Sequence, residues 1–359
     1  MNGPGGYQAI VFKVAFCYIG AIVGAGFTSG QELMQFFVSL EGKKVPALII
    51  VAVLFAVYGW ITLSLSQLYQ SSDYGSFLKR LLGIRAAGLF DLMIGIFLFS
   101  GLGIMLSAAG AVFDEHLGLP FNWGVFLLGL GVAAVLFANV QGVLWLNTVL
   151  MPAKFLLVIL VSGLIIFTSP YTPIIPDAAV LSMEPITHSW VLAGVLYVSY
   201  NLILGLTILV SLAGPNFGPN LNMAGIWGGL GLGIFAGVIV GALASNWPQI
   251  AGYQVPMLYL AGQIHPGVKL LYTLVLGMGI LTTAVACAYT LTLRLARTLK
   301  IPYFPMLLVI LVLAAPLAQL GFGQLVRLIY PVFGYVGLVL LVGLTWRALE
   351  SLSESGNLH

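Results

Sequence analysis

Phe16-Cys17-Tyr18-Ile19-Gly20-Ala21-Ile22-Val23-Gly24-Ala25-Gly26-Phe27-Thr28-Ser29-Gly30-Gln31-Glu32-Leu33 lies within the first apolar run long enough to cross a bilayer. Four glycines, the Thr28 and Ser29 hydroxyls, an amide and a carboxylate stand where lipid alone would favour leucine. Backbone polar groups cannot stay unpaired at bilayer depth, so a segment that invites helix breakage there must line a protein cavity or a water-filled path. Glycine also serves close helix packing, and the chain has 44 of them. The flanking polar side chains favour a break.

The rest of the chain sets the frame. Apolar residues make up 60% and charged residues 6%, with a mean hydropathy of +1.09. Soluble domains carry about 25% charged residues. Apolar runs recur to the end, which predicts an all-α polytopic membrane protein and excludes an outer-membrane barrel, whose strands alternate. Cys17 and Cys287 both lie in apolar stretches and suggest neither a disulfide framework nor a metal site. The start, Met1 to Gly6, has no pattern of a cleaved signal. A net charge of +3, scattered along the chain, gives no footprint for nucleic acid.

Ten spans are predicted: 7–38, 45–70, 83–112, 122–140, 143–168, 187–212, 223–245, 268–297, 303–320 and 325–347. Turn chemistry separates them at Glu41-Gly42-Lys43-Lys44, Ser71-Ser72-Asp73-Tyr74-Gly75, Asp114-Glu115-His116, Ser169 to Pro173, Gly214 to Asn220 and Lys300-Ile301-Pro302. With the N-terminus inside, Lys13, Lys79, Arg80, Arg85, Arg294, Arg297, Lys300 and Arg347 fall on the cytoplasmic side. Lys43, Lys44, Lys269 and Arg327 fall outside. Eight against four places both termini in the cytoplasm. The acids Glu41, Asp114, Glu115, Asp177 and Glu184 all fall outside. Between the seventh and eighth spans, Tyr253 to Gly262 forms either a short external helix or an interfacial loop.

A cut near Pro176 leaves five spans in each half, 1–176 and 177–359. Five is odd, so the second half enters from the opposite side: an inverted repeat. Its leading span is interrupted in turn by Tyr197-Val198-Ser199-Tyr200-Asn201-Leu202-Ile203-Leu204-Gly205-Leu206-Thr207. Two leading helices broken in corresponding positions point to a substrate site at the midplane, where half-helix ends offer free N–H and C=O groups.

This five-plus-five pattern resembles the LeuT-type fold of the amino acid–polyamine–organocation superfamily. The string Val23 to Glu32, with Tyr200-Asn201, resembles its bacterial YkvI-like branch. The resemblance implies a substrate site in which the amides of Gly24, Ala25 and Gly26 hold a carboxylate, with Thr28 beside them and Tyr200 and Asn201 near the amine. It also implies a secondary transporter of a small amino acid or amine in the bacterial cell membrane. A ligand-sensing subunit of the germinant-receptor kind, which binds without transport, stays open beside it.

Lys154, in Met151-Pro152-Ala153-Lys154-Phe155, lies roughly 16 Å along the fifth span at 1.5 Å per residue. A lysine at that depth costs at least ~2.5–3.5 kcal/mol. It either satisfies helix-end carbonyls structurally or has a functional task. Gly279, Thr282 and Thr283 share one face of the eighth span. In sodium-coupled LeuT-type proteins a similar face holds sodium against first-helix carbonyls, here Gly20 and Val23. Some relatives place a fifth-helix lysine there instead, which implies that the Lys154 ammonium replaces the ion. Phe27 stands where the other sodium site needs an amide, so a two-sodium mechanism is disfavoured. The coupling ion is H+ or Na+, and a symporter using one sodium site remains if Lys154 points elsewhere. Glu32 either pairs with Arg327 as an outer gate or braces nearby backbone. Asp91 is expected beside Arg85 or Lys79, Tyr18 on the inner path, and Tyr197, Phe97 and Phe99 around a pocket. No paired carboxylates or His/Glu cluster lie at depth, so no catalytic or metal site is expected.

Overall fold

The structure, a computed structural model, describes residues 4–40, 42–71, 73–138, 140–168, 185–213, 220–247 and 249–356. The first span is built from α1 (Pro4–Ile22), α2 (Ala25–Ser29), α3 (Gln31–Leu33) and a π-helical turn (Met34–Val38). Then come α4 (Lys44–Leu68), α5 (Tyr74–Leu82), α6 (Ile84–Leu117), α7 (Phe121–Ala138) and α8 (Val140–Thr168). The second half holds α9 (Trp190–Leu212), α10 (Met223–Ser245), α11 (Pro256–Ile264), α12 (Pro266–Leu299), α13 (Tyr303–Ala318) and α14 (Phe322–Gly356). Seven helices (α4, α6, α7, α9, α10, α12 and α14) are long and apolar enough to cross a membrane. Shorter apolar helices cover Gln8–Ile22, Pro152–Thr168 and Tyr303–Ala318. Each falls largely within one of the predicted spans, and the seven long helices make this a multi-pass membrane protein. The divide near Pro176, the turns at 169–173 and 214–219, and Glu41, Asp177 and Glu184 lie outside the described residues.

Without a hydrophobic drive between helices in lipid, small residues decide which ones touch. Gly225, Gly229 and Gly233 form one stripe of α10. A Cβ at each would collide with Gly59, Ala56 and Ala52 of α4, respectively, so the two backbones meet directly. Gly59, Gly205 and Gly228, from three helices, form a socket for the Tyr18 ring, which lies 2.6–2.9 Å from the Cβ positions they lack. The Tyr18 hydroxyl donates to the Phe55 carbonyl at 3.2 Å. Tyr18 is therefore a fully buried packing knob and not a lining of the inner path.

Two expectations are corrected here. The sixth span, α9, runs unbroken from Trp190 to Leu212. Asn201 and Ser199 bond within the helical register: the Asn201 amide donates to the Tyr197 carbonyl at 2.9 Å and the Ser199 hydroxyl to the Leu196 carbonyl at 3.0 Å. Ser199 also ties α9 to α14 through the Gly334 carbonyl at 2.6 Å, and Gly205 serves the Tyr18 socket. Asp91 pairs with Arg294 of α12, not with Arg85 or Lys79.

Two short helices complete the frame. The stretch at 253–262 does form a helix, α11, with Pro256, Met257, Leu258, Leu260 and Ala261 buried against the bundle. α5 is not among the expected elements, and the expected turn at Ser71 to Gly75 overlaps only its first two residues. Asp73 caps it by accepting from the Ser76 amide at 2.8 Å, and Phe77, Leu78 and Leu81 form its buried face.

Candidate functional site

α1 ends at Ile22 and α2 begins at Ala25, so Val23 and Gly24 form the break. The Val23 amide still bonds back to Ile19 at 2.9 Å, and the Gly24 amide turns to the Ile22 carbonyl at 2.7 Å. Gly24 is extended, with φ −87° and ψ −166°. Ser29 and Thr28 hydroxyls donate back to the Gly26 and Ala25 carbonyls at 2.8 and 3.2 Å, tightening α2. The chain bends again at Gly30, whose φ of +80° an L side chain rarely adopts. Tyr272 of α12 holds this short piece through the Thr28 carbonyl at 2.6 Å.

Lys154, 4% exposed, donates from Nζ to the Val23 carbonyl at 2.9 Å. The same ammonium lies 3.9 Å from where a Gly279 Cβ would be, and the Thr283 hydroxyl lies 3.9 Å from the Gly24 Cβ position. The Thr282 hydroxyl donates to the Gly279 carbonyl at 3.1 Å. The fifth and eighth spans thus both reach the Val23-Gly24 break in the first. Lys154 has no carboxylate partner among the described residues. Gly20 stays in the last turn of α1, and the ammonium's hydrogen bond goes to Val23 instead.

Glu32 is 4% exposed and folds back over the break. A Cβ at Gly26 would meet its carboxylate, and the Tyr330 hydroxyl lies 3.4 Å from that same point. Tyr197 donates to Glu32 Oε1 at 3.2 Å. The Tyr200 ring stacks on Tyr330 at 4.7 Å, and Phe36 lies edge-on to Tyr197 at 5.3 Å. Phe27 packs on Tyr197 and Phe235 at 5.9 and 5.8 Å. Ala25, Gly26 and Thr28 are buried beside the break, and Tyr200 and Asn201 are buried on α9, where the Asn201 side chain bonds the Tyr197 carbonyl. Phe97 packs instead on Phe333 at 4.5 Å.

Arg327 lines a separate cavity of about 450 Å³ with Gln31, Gln35, Tyr253, Gln254 and Gln324. The expected pair between Glu32 and Arg327 is not formed. Gly30, in the left-handed region, turns the chain two residues before Glu32, whose carboxylate meets Tyr197. One wall of this cavity is strapped down. The Glu115 carboxylate accepts the Gln254 amide at 2.9 Å and the Val255 amide at 3.3 Å, while Gln254 Oε1 accepts from the Phe322 amide at 2.6 Å.

No family model matches the chain. A manganese transporter of Eremococcus coleocola superposes over 96% of this chain and 80% of its own, at 15% identity and a TM-score of 0.57. The inward-facing conformation of Mhp1 superposes over 91% of this chain and 73% of its own, at 13% identity and a TM-score of 0.62. The chain has the LeuT fold. Two proteins of Bacillus subtilis (strain 168), YyaD and the membrane protein YkvI, are similar over nearly the whole chain. Each is 27% identical, over 90% and 92% of this chain and 93% of their own lengths.

Within the LeuT fold the first helix is broken as the sequence predicts, and the sixth is not. Of the predicted ion position the structure brings together Lys154, Val23, Gly279 and Thr283. Tyr330 was missed, and its only signal was a tyrosine beside Pro331 in an apolar span. Tyr272 and the Glu115–Gln254 strap were missed as well, because nothing local marks a contact between distant helices. Among the described residues no group of three or more His, Cys, Asp and Glu side chains comes together.

Proposed function

We propose that this chain is a secondary carrier for a small amine or amino acid, working by alternating access in the bacterial cell membrane. The two five-helix halves, 1–176 and 177–359, would rock about the break in the first span, with both termini cytoplasmic as the lysine and arginine balance favours. The observation that carries the reading is the Lys154 ammonium on the Val23 carbonyl, between the first, fifth and eighth spans. A fixed cation at that position does the neutralising work of a sodium ion, so turnover is sodium-independent or linked to protons.

The neighbours in fold include a manganese transporter. A divalent cargo is less well served here, since Glu32 has no second carboxylate or imidazole beside it among the described residues. The test is flux: purified protein in liposomes, supplied with labelled amino acids and amines under sodium, proton and voltage gradients. Accumulation or exchange without sodium is the expected result. Saturable binding with no flux under any gradient overturns the reading in favour of a sensor, and strict sodium dependence overturns the assignment of Lys154.

A further inference from the structure

We infer that Glu32 is the built-in counter-charge of the substrate site, and that the substrate is an organic ammonium lacking a carboxylate of its own. The inference rests on the carrier reading and narrows its substrate class. Three observations bear on it. First, the Glu32 carboxylate is almost wholly buried, and no lysine, arginine or histidine pairs with it among the described residues. A carboxyl group held this way at bilayer depth either takes up a proton or is answered by a cation, and an ammonium that enters the site supplies the second. Second, its surroundings are aromatic: Tyr197 donates to it, Tyr330 stands beside it over Gly26, and Tyr200 and Phe36 complete the wall. Aromatic faces attract an alkylammonium group, most strongly where water is excluded. Third, Tyr200 is 2% exposed and stacks on Tyr330, and its buried hydroxyl has no hydrogen-bond partner among the described residues.

The position of Glu32 also decides against a zwitterion. Its carboxylate lies against Gly26, the centre of the Gly24–Gly26 segment that would otherwise receive a substrate carboxylate. An incoming carboxylate would meet like charge, whereas an ammonium would meet opposite charge. Discrimination of this kind comes from the repelled group as much as from the attracted one. A lone carboxylate ringed by aromatic faces also suits an ammonium better than a divalent metal, which needs several oxygen ligands.

Matched pairs test this: isobutylamine against valine, phenethylamine against phenylalanine, and tryptamine against tryptophan, measured by thermal shift and equilibrium binding on the full chain in detergent. At least one amine should bind, and bind about tenfold or more tighter than its amino acid. Glu32→Gln keeps the shape and leaves an oxygen for Tyr197, and it should weaken amine binding by about 100-fold, the scale of losing one partner of a buried charge pair. Tyr197→Phe should weaken it less. A wild-type preference for the amino acids, no binding by any of the three amines, or Glu32→Gln binding within about threefold of wild type would overturn the inference. Amines that bind as expected but are never moved in liposomes would instead overturn the carrier reading and leave the assignment of Glu32 standing.

Discussion

Replacing Lys154 with alanine separates a working charge from a structural one. The ammonium gives the Val23 carbonyl a charge-assisted hydrogen bond at 2.9 Å. Such a bond is worth about 1.5–3 kcal/mol. Against it stands the cost of holding a lysine at bilayer depth, ~2.5–3.5 kcal/mol. The two nearly cancel, so Lys154→Ala should change stability by no more than about 2 kcal/mol, and the protein should still assemble. Function does not share the cancellation. If the bond forms in only one of the two access states, losing it shifts their ratio by about 10- to 150-fold, since 1.4 kcal/mol is a factor of ten. Flux in sodium-free liposomes should fall at least about tenfold while the melting profile stays near wild type. The vacated position, beside the Val23 carbonyl and Gly279, should then admit sodium, so sodium but not choline should restore part of the flux. Wild-type flux by Lys154→Ala in sodium-free medium would refute the reasoning.

Other changes probe the scaffold around the site. Glu115→Gln leaves one oxygen where two serve the Gln254 and Val255 amides, and should cost about 1–3 kcal/mol, seen as faster amide exchange at those residues. Gly229→Leu drives a side chain into the Ala56 backbone and should cost about 3 kcal/mol or prevent assembly. Gly237→Ala meets nothing within 4 Å and should stay within about 0.5 kcal/mol of wild type, as thermal unfolding of the pair would show. Tyr18→Phe keeps the ring in its glycine socket and loses only the bond to the Phe55 carbonyl. It should cost about 1 kcal/mol in the same assay.

The spans were legible because lipid imposes its own length and apolarity on any helix that crosses it. The break at Val23-Gly24 was legible because glycines and hydroxyls at depth are tolerated only where something replaces the lost backbone bonds. The same logic misled at Tyr200-Asn201. A polar side chain at depth can also bond the carbonyl four residues back, as Asn201 does to Tyr197, and this leaves the helix whole. Sequence does not distinguish the two uses of a polar residue. Lys154 stood out by its depth, whereas its place beside Val23 followed from the resemblance to LeuT-type proteins and not from depth and span alone. The orientation of Glu32 was not. Gly30 in the left-handed region and the π-helical turn at Met34–Val38 change the helical phase, so a 3.6-residue count assigns side chains after Gly30 to the wrong face.

The break therefore has two buried ionisable side chains, one on each side, and they do not pair with each other. Lys154 answers the last carbonyl before the break, while Glu32 lies against Gly26 just after it among tyrosines. A break that served packing alone would be cheaper to build from serine or asparagine, which bond backbone without carrying charge into the membrane. Mutual neutralisation would lock the two halves of the first span together, because separating a direct ion pair at low dielectric is costly. Keeping the charges apart leaves the cation fixed to the scaffold and the carboxylate answered only by hydroxyls and aromatic faces. That asymmetry is what a carrier for a cation needs: one charge that holds the broken helix in place, and one that waits for a mobile partner.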